Sequence, residues 1–152
     1  MHSRGCISLL CFIYTISLYL EESNGIDLQI EIVPVPFEKI SDTAPGEPSA
    51  AIREHVIAAR KIQEERFKNE KGIYCNAQMT PKLIAKHAVL DETSLAMLKT
   101  AMTRFDLSAR AYDRILKVAH TIADLDRCEN IQFQHIAEAI GYRNLDRSSW
   151  GT

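Results

Sequence analysis

Leu107–Leu125, LSARAYDRILKVAHTIADL, is the stretch on which the fold reading turns. Ser108 offers a hydroxyl where the first N–H groups of a helix need an acceptor, and a long helix from Ala109 to about Asp126 follows from it. The apolar residues Tyr112, Ile115, Val118 or Ala119, Ile122 and Leu125 recur at three- and four-residue spacing, which puts them on one face. Such a helix is stable only when that face is covered. The flanking sequence must therefore supply partners.

It supplies them on both sides. Asp91 opens a helix carrying Leu95, Leu98, Met102 and Phe105 on one face. Thr80-Pro81 is a cap followed by proline at the first helical position, and predicts a short helix to about His87 with Leu83 and Ile84 inward. Lys71 to Met79 reads as a loop. Before it, Ser49 is expected to cap a long helix to about Asn69 with a stripe of Ile52, Val56, Ala59, Ile62 or Gln63, and Phe67. Arg53, Glu54, Arg60, Lys61, Glu64, Glu65 and Arg66 fall on its other faces and read as solvated charge. Downstream, Asn130 to Ile140 gives a last helix with Phe133, Ile136, Ala137 and Ile140 on one side, and Gly141 is a natural breaker. Residues 49–147 thus predict a mainly α fold, a bundle of four or five helices, followed by a polar tail at 148–152.

The remaining sequence is of a different kind. Ile26–Val35, IDLQIEIVPV, alternates as a strand does until Pro34 and Pro36 end it. A lone strand leaves its edges unpaired, so it expects a sheet that this sequence does not otherwise contain. Ser41–Pro48, with two prolines and a glycine, reads as a linker, and 26–48 is taken as strand plus linker. Residues 1–25 hold the uncharged apolar run Cys6–Leu20, flanked by Arg4 and Glu21-Glu22. It is shorter than the roughly 20 residues of a spanning helix, and no small-residue cleavage site follows it. A misread start, a frameshift or a gene fragment is the reading favoured by the resemblance of the downstream sequence given below, with a signal or anchor next.

Charge and motif content exclude several classes. Lys+Arg number 18 and Asp+Glu 20, a net charge of −2, which argues against nucleic-acid binding by bulk charge alone. The four cysteines, Cys6, Cys11, Cys75 and Cys128, form no CxxC pair and read as free thiols. The histidines His2, His55, His87, His120 and His135 show no zinc-protease spacing, and each reads as a surface or boundary residue. Ser108 stands in no GxSxG setting. No GxxxxGK[ST] loop occurs, so no ATP hydrolysis is expected of this chain alone.

LSARAYDRILKVAHTIADL resembles the C-terminal domain of the magnesium-chelatase-like AAA+ ATPases, the ComM/YifB type of competence-associated hexameric helicases most closely. IDLQIEIVPVPFEKIS resembles the last strand of that family's ATPase core, SAAIREHVIAARKIQEERF its first lid helix, NAQMTPKLIAKHAVLD its loop and short helix, and ENIQFQHIAEAIGYRNLDR its closing helix. The resemblance covers about Ile26 to Arg147. It implies an AAA+ lid bundle cut away from its nucleotide-binding core. It further implies that Arg110 matches the sensor-2 arginine, which touches the ATP γ-phosphate, with Arg114 one turn on as a possible assistant. A salt bridge from Arg114 to Asp113 or Glu54 is an equal alternative. The arginine that precedes the strand in the family is absent here, where Glu-Ser-Asn-Gly stands. ATP and Mg²⁺ are the cofactors implied for the intact parent, and none for this chain by itself. The implied partners are the AAA+ core, neighbouring subunits of a homo-hexamer, and DNA through the parent, in the cytoplasm with no membrane contact. Three alternatives remain: a free-standing helical adaptor or DNA-binding module, a role in inserting magnesium into porphyrin, and a secreted or tethered protein resting on residues 6–20 alone. The role of Asn76-Ala77-Gln78 stays open between a structural one and a subunit contact.

Overall fold

Ser108 caps the central helix, its Oγ accepting the Ala111 amide at 3.3 Å. The structure is a computed structural model that describes Leu28, Ile30 and residues 46–143. Over these residues the helices are α1 (Ser49–Phe67), α2 (Pro81–His87), α3 (Glu92–Arg104), α4 (Ala109–Leu125) and α5 (Phe133–Gly141), with a 3₁₀ turn at Asn76–Gln78 between α1 and α2. No strand occurs among the described residues, so this is the mainly α lid bundle. The strand expected at 26–35 lies outside them except for Leu28 and Ile30, which have no regular structure. The apolar segment 1–25 and the tail 148–152 lie outside them altogether.

α4 is the axis. Ala111, Ile115, Leu116, Ala119, Ile122 and Ala123 are all buried along it, and it packs against α1, the 3₁₀ turn, α2 and α5, while α3 closes on α5. Leu98, Ile115 and Ile136 are fully enclosed, with Phe67, Met79, Leu83 and Ile140 completing the core. Each large side chain contributes about 1.5–3 kcal/mol of apolar burial. This is why α2, seven residues long and marginal by itself, is helical here.

Caps set the element starts. Asp91 Oδ1 accepts the Ser94 amide at 2.8 Å, and Pro81 takes the first position of α2. Ser49 does not cap α1 as expected. Pro48 stands there instead, in extended conformation, and its carbonyl accepts from Ala51 at 3.0 Å and Ile52 at 3.2 Å.

Two ends depart from residue preference. α3 and α4 both close with the chain folded back: Leu107 N–H donates to the Met102 carbonyl at 3.0 Å, and Cys128 N–H to Ala123 at 2.8 Å. The turn residue is in each case not glycine but Asp106 (φ 46°) and Arg127 (φ 57°). This left-handed conformation costs a non-glycine residue about 1 kcal/mol.

Four core assignments need correction. Phe133 is 52 % exposed and Leu95 38 %, whereas Leu98, Ile136 and Ile140 of the same predicted faces are buried. His120 and His135, expected at the surface, are each only 1 % exposed. His135 is held by its ring, whose Nδ1 accepts the Gln132 amide at 3.0 Å, with Nε2 3.2 Å from Asp126 Oδ2. No helix among the described residues is long and apolar enough to cross a membrane.

Candidate functional site

α4 carries both the residues singled out by sequence and a cluster that the sequence did not disclose. At its start, Arg110 is exposed in the first turn, directly beside the Ser108 cap, and Arg114 is half-buried one turn on. A cation in the first turn opposes the helix dipole by about 0.3–1 kcal/mol. The turn that carries it is fixed on its other side by buried Ala111 and Ile115. The structure thus gives Arg110 a rigid base and access to solvent. Next along the same side, Lys117 Nζ donates to the Ala77 carbonyl at 2.9 Å, tying the 3₁₀ turn to α4.

At the other end, α4 holds a buried carboxylate. The Asp124 side chain has no solvent exposure and that of Arg66 has 11 %. Arg66 Nη1 donates to Asp124 Oδ2 at 2.8 Å, and Nη2 donates to Oδ1, a two-pronged pairing. Gln63 Nε2 donates to Asp124 Oδ2 at 3.0 Å, and Asn76 Nδ2 at 2.7 Å. Asn76 Oδ1 in turn accepts from Arg66 Nη1 at 2.8 Å, and the Asn76 N–H donates to Gln63 Oε1 at 3.2 Å. Asn76 Nδ2 also lies 3.2 Å from Thr121 Oγ1.

Arg66, expected in solvent, is therefore a structural residue, and Asn76 is the keystone of its loop rather than a surface contact. A charge on a long helix looks solvated until its partner, 58 positions on, is known. The alternation of Gln63 and Arg66 along the inner edge of α1 was the one signal available. A buried ion pair of this kind adds little net stability, but removing one partner is costly because the other stays buried.

His120 sits next to this cluster. Burial and the nearby Arg66 charge lower its pKa from 6.5 to about 4, outweighing the attraction of Asp124. His87 is lowered as well, by burial and then by Lys86 and Arg66. Among the described residues no three His, Cys, Asp or Glu side chains gather into a metal site, and Cys75 and Cys128 are free thiols.

The comparisons with known proteins agree with this architecture. The family described as "Magnesium chelatase, subunit ChlI C-terminal" matches residues 46–143, which is the folded bundle. The chain is 38 % identical over 135 residues to the competence protein ComM of Haemophilus influenzae, covering 85 % of this chain and 26 % of that protein. It is likewise 38 % identical over 135 residues to the protein YifB of Escherichia coli, with the same coverage, and 37 % identical to that of Salmonella typhimurium. The chain therefore spans about a quarter of the length of the relatives it matches.

Proposed function

The chain belongs to the magnesium chelatase ChlI C-terminal family, and from that membership we propose that it serves as the lid of an ATP-driven, ring-forming motor. The observation that carries this reading is the position of Arg110: an exposed guanidinium on a rigid, capped turn of the central helix of a family domain. A γ-phosphate leaving ATP spreads charge over its oxygens, and a planar guanidinium held in place stabilises that charge without reorganising. Arg110 is the group of this chain that fits the nucleotide. Arg114, one turn along, supports its approach. In this reading the metal and the phosphate cradle belong to an ATPase core. Lid and core move relative to one another as nucleotide is bound and spent, which would pass the state of one site to the neighbouring subunit. By likeness to ComM, whose name ties it to competence, the work done is on DNA, as a hexameric helicase in the cytoplasm.

The purified chain is expected to show no ATP turnover. Residues 46–143, placed in Haemophilus ComM in exchange for the corresponding domain, are expected to support turnover. ATP hydrolysis by this chain alone, or a chimera that folds and has no activity, overturns the reading. The alternative of a free-standing helical adaptor draws on Ile57, 43 % exposed on α1. Saturable binding of DNA by this chain at physiological salt would favour it.

A further inference from the structure

At the far end of α4 from Arg110, about 15 Å along the helix axis to His120, a cavity of about 470 Å³ opens between α1, α2 and the turn that follows α4. Its volume is in the range that small ligands occupy. Arg66, Lys86, His87, His120 and Arg127 line it, against the single carboxylate of Glu129.

Two independent features set this cavity apart from an ordinary surface depression. First, His120 is 1 % exposed, yet neither ring nitrogen has a hydrogen-bond partner among the described residues, and His87 Nε2 has none either. Buried polar atoms are nearly always paired, and each that is not needs a reason. The nearest ordinary partner, Asp124, is already saturated by Arg66, Gln63 and Asn76. Second, Arg127 occupies the left-handed turn position after α4, at φ 57°. Glycine is the residue that favours this position. A long cationic side chain is kept there at a conformational cost, and it borders the cavity. Strain of this sort collects where ligands are clamped.

The ligand follows from the donors. Lys86 and Arg127 offer charge from two sides, and His87 and His120 offer imidazole nitrogens from α2 and α4. Arg66, held by Asp124, adds positive potential behind them without being consumed. The donors come from three elements, α2, α4 and the turn after α4, and approaches from several directions suit the three free oxygens of a tetrahedral group better than the coplanar pair of a carboxylate. Glu129 and Glu70, 3.6 Å from Lys86, keep the cavity from being a non-specific basic patch. We propose that this cavity binds a phosphate group with three free oxygens, clamped by Arg127 and Lys86 and received by His87 and His120. The same chemistry is offered by free inorganic phosphate and by the terminal phosphate of a nucleotide. The proposal is independent of Arg110 and of the ATPase reading.

The test is a titration of the full chain with inorganic phosphate, followed through the imidazole nitrogen and proton signals of His87 and His120 at constant ionic strength. Both rings are expected to shift saturably, and sulfate to compete. Arg127→Gly is the decisive variant, because glycine relieves the backbone at this position. It is expected to raise the melting temperature while weakening phosphate binding at least about tenfold. Lys86→Gln is expected to weaken binding with the melting temperature unchanged. A parallel titration with ADP separates the sources: tighter binding than phosphate, still dependent on Arg127, assigns a nucleotide, and equal binding assigns free phosphate. Ring signals that ignore phosphate overturn the proposal, as does an Arg127→Gly protein that binds as the parent does. An oligonucleotide lacking a terminal phosphate that shifts the rings where inorganic phosphate does not overturns the assignment to a phosphate group with three free oxygens.

Discussion

The two ends of α4 solve different problems. At its start, Arg110 is exposed on a turn whose stability comes from Ser108 and from Ala111 and Ile115 beneath it. At its end, Asp124 is sealed and receives bonds from α1 and from the 3₁₀ turn, so that three elements depend on one carboxylate. The contrast teaches where substitutions will be felt. A charge exposed on the surface of the bundle is removable, and a charge sealed within it is not.

The largest expected effect falls at the sealed end. Asp124→Ala leaves the Arg66 guanidinium buried without its counter-ion and strips acceptors from Gln63 and Asn76. It is expected to cost about 3–5 kcal/mol, read from chemical denaturation. Near-wild-type stability would show that the cluster opens to water and would erase the contrast. An acid titration comes next. His120 is held neutral down to about 4, while in the unfolded chain it takes a proton near 6.5. The unfolded state therefore binds more protons over that window, and stability is full above about 6.5 and declines as pH falls towards 4. His87 acts in the same direction. The melting temperature should fall over this range in the parent and fall much less in His120→Gln. Equal slopes in the two proteins would remove His120 from the account.

Smaller effects are expected at the exposed end. Ser108→Ala deletes the cap bond and should cost about 1 kcal/mol, while Ser108→Asp should restore it. Arg110→Ala should change stability by no more than about 0.5 kcal/mol, since the side chain is exposed. A loss comparable to that of Asp124→Ala would make Arg110 a structural residue.

Much of this was legible in the sequence, for identifiable reasons. Ser108, Asp91 and Pro81 mark helix starts through local chemistry, and the spacing of Ile115, Ala119 and Ile122 marks the buried face of α4. These signals sit within one element. The Arg66–Asp124 pair, the burial of His120 and the role of Asn76 were hidden because each depends on two elements meeting. On α1, Arg66 stands in the same run of charged residues as Glu64 and Glu65. Phe133 and Leu95 failed in the opposite sense: their periodicity was right, but each stands in the first turn of its helix and stays exposed. Arg127 and Asp106 also escaped notice, since nothing local announces a left-handed turn without glycine. Arg110 is proposed only through the resemblance of its surroundings to a family, because an arginine in a first turn has no distinguishing pattern of its own.

The central claim, that the exposed end of α4 serves a nucleotide held elsewhere, is tested most directly by introducing Arg110→Ala into the ComM chimera carrying residues 46–143. ATP turnover and melting temperature are then measured on the same preparation. The account predicts a fall in turnover of about 10²–10³-fold with the melting temperature unchanged. Turnover equal to that of the unsubstituted chimera would contradict it.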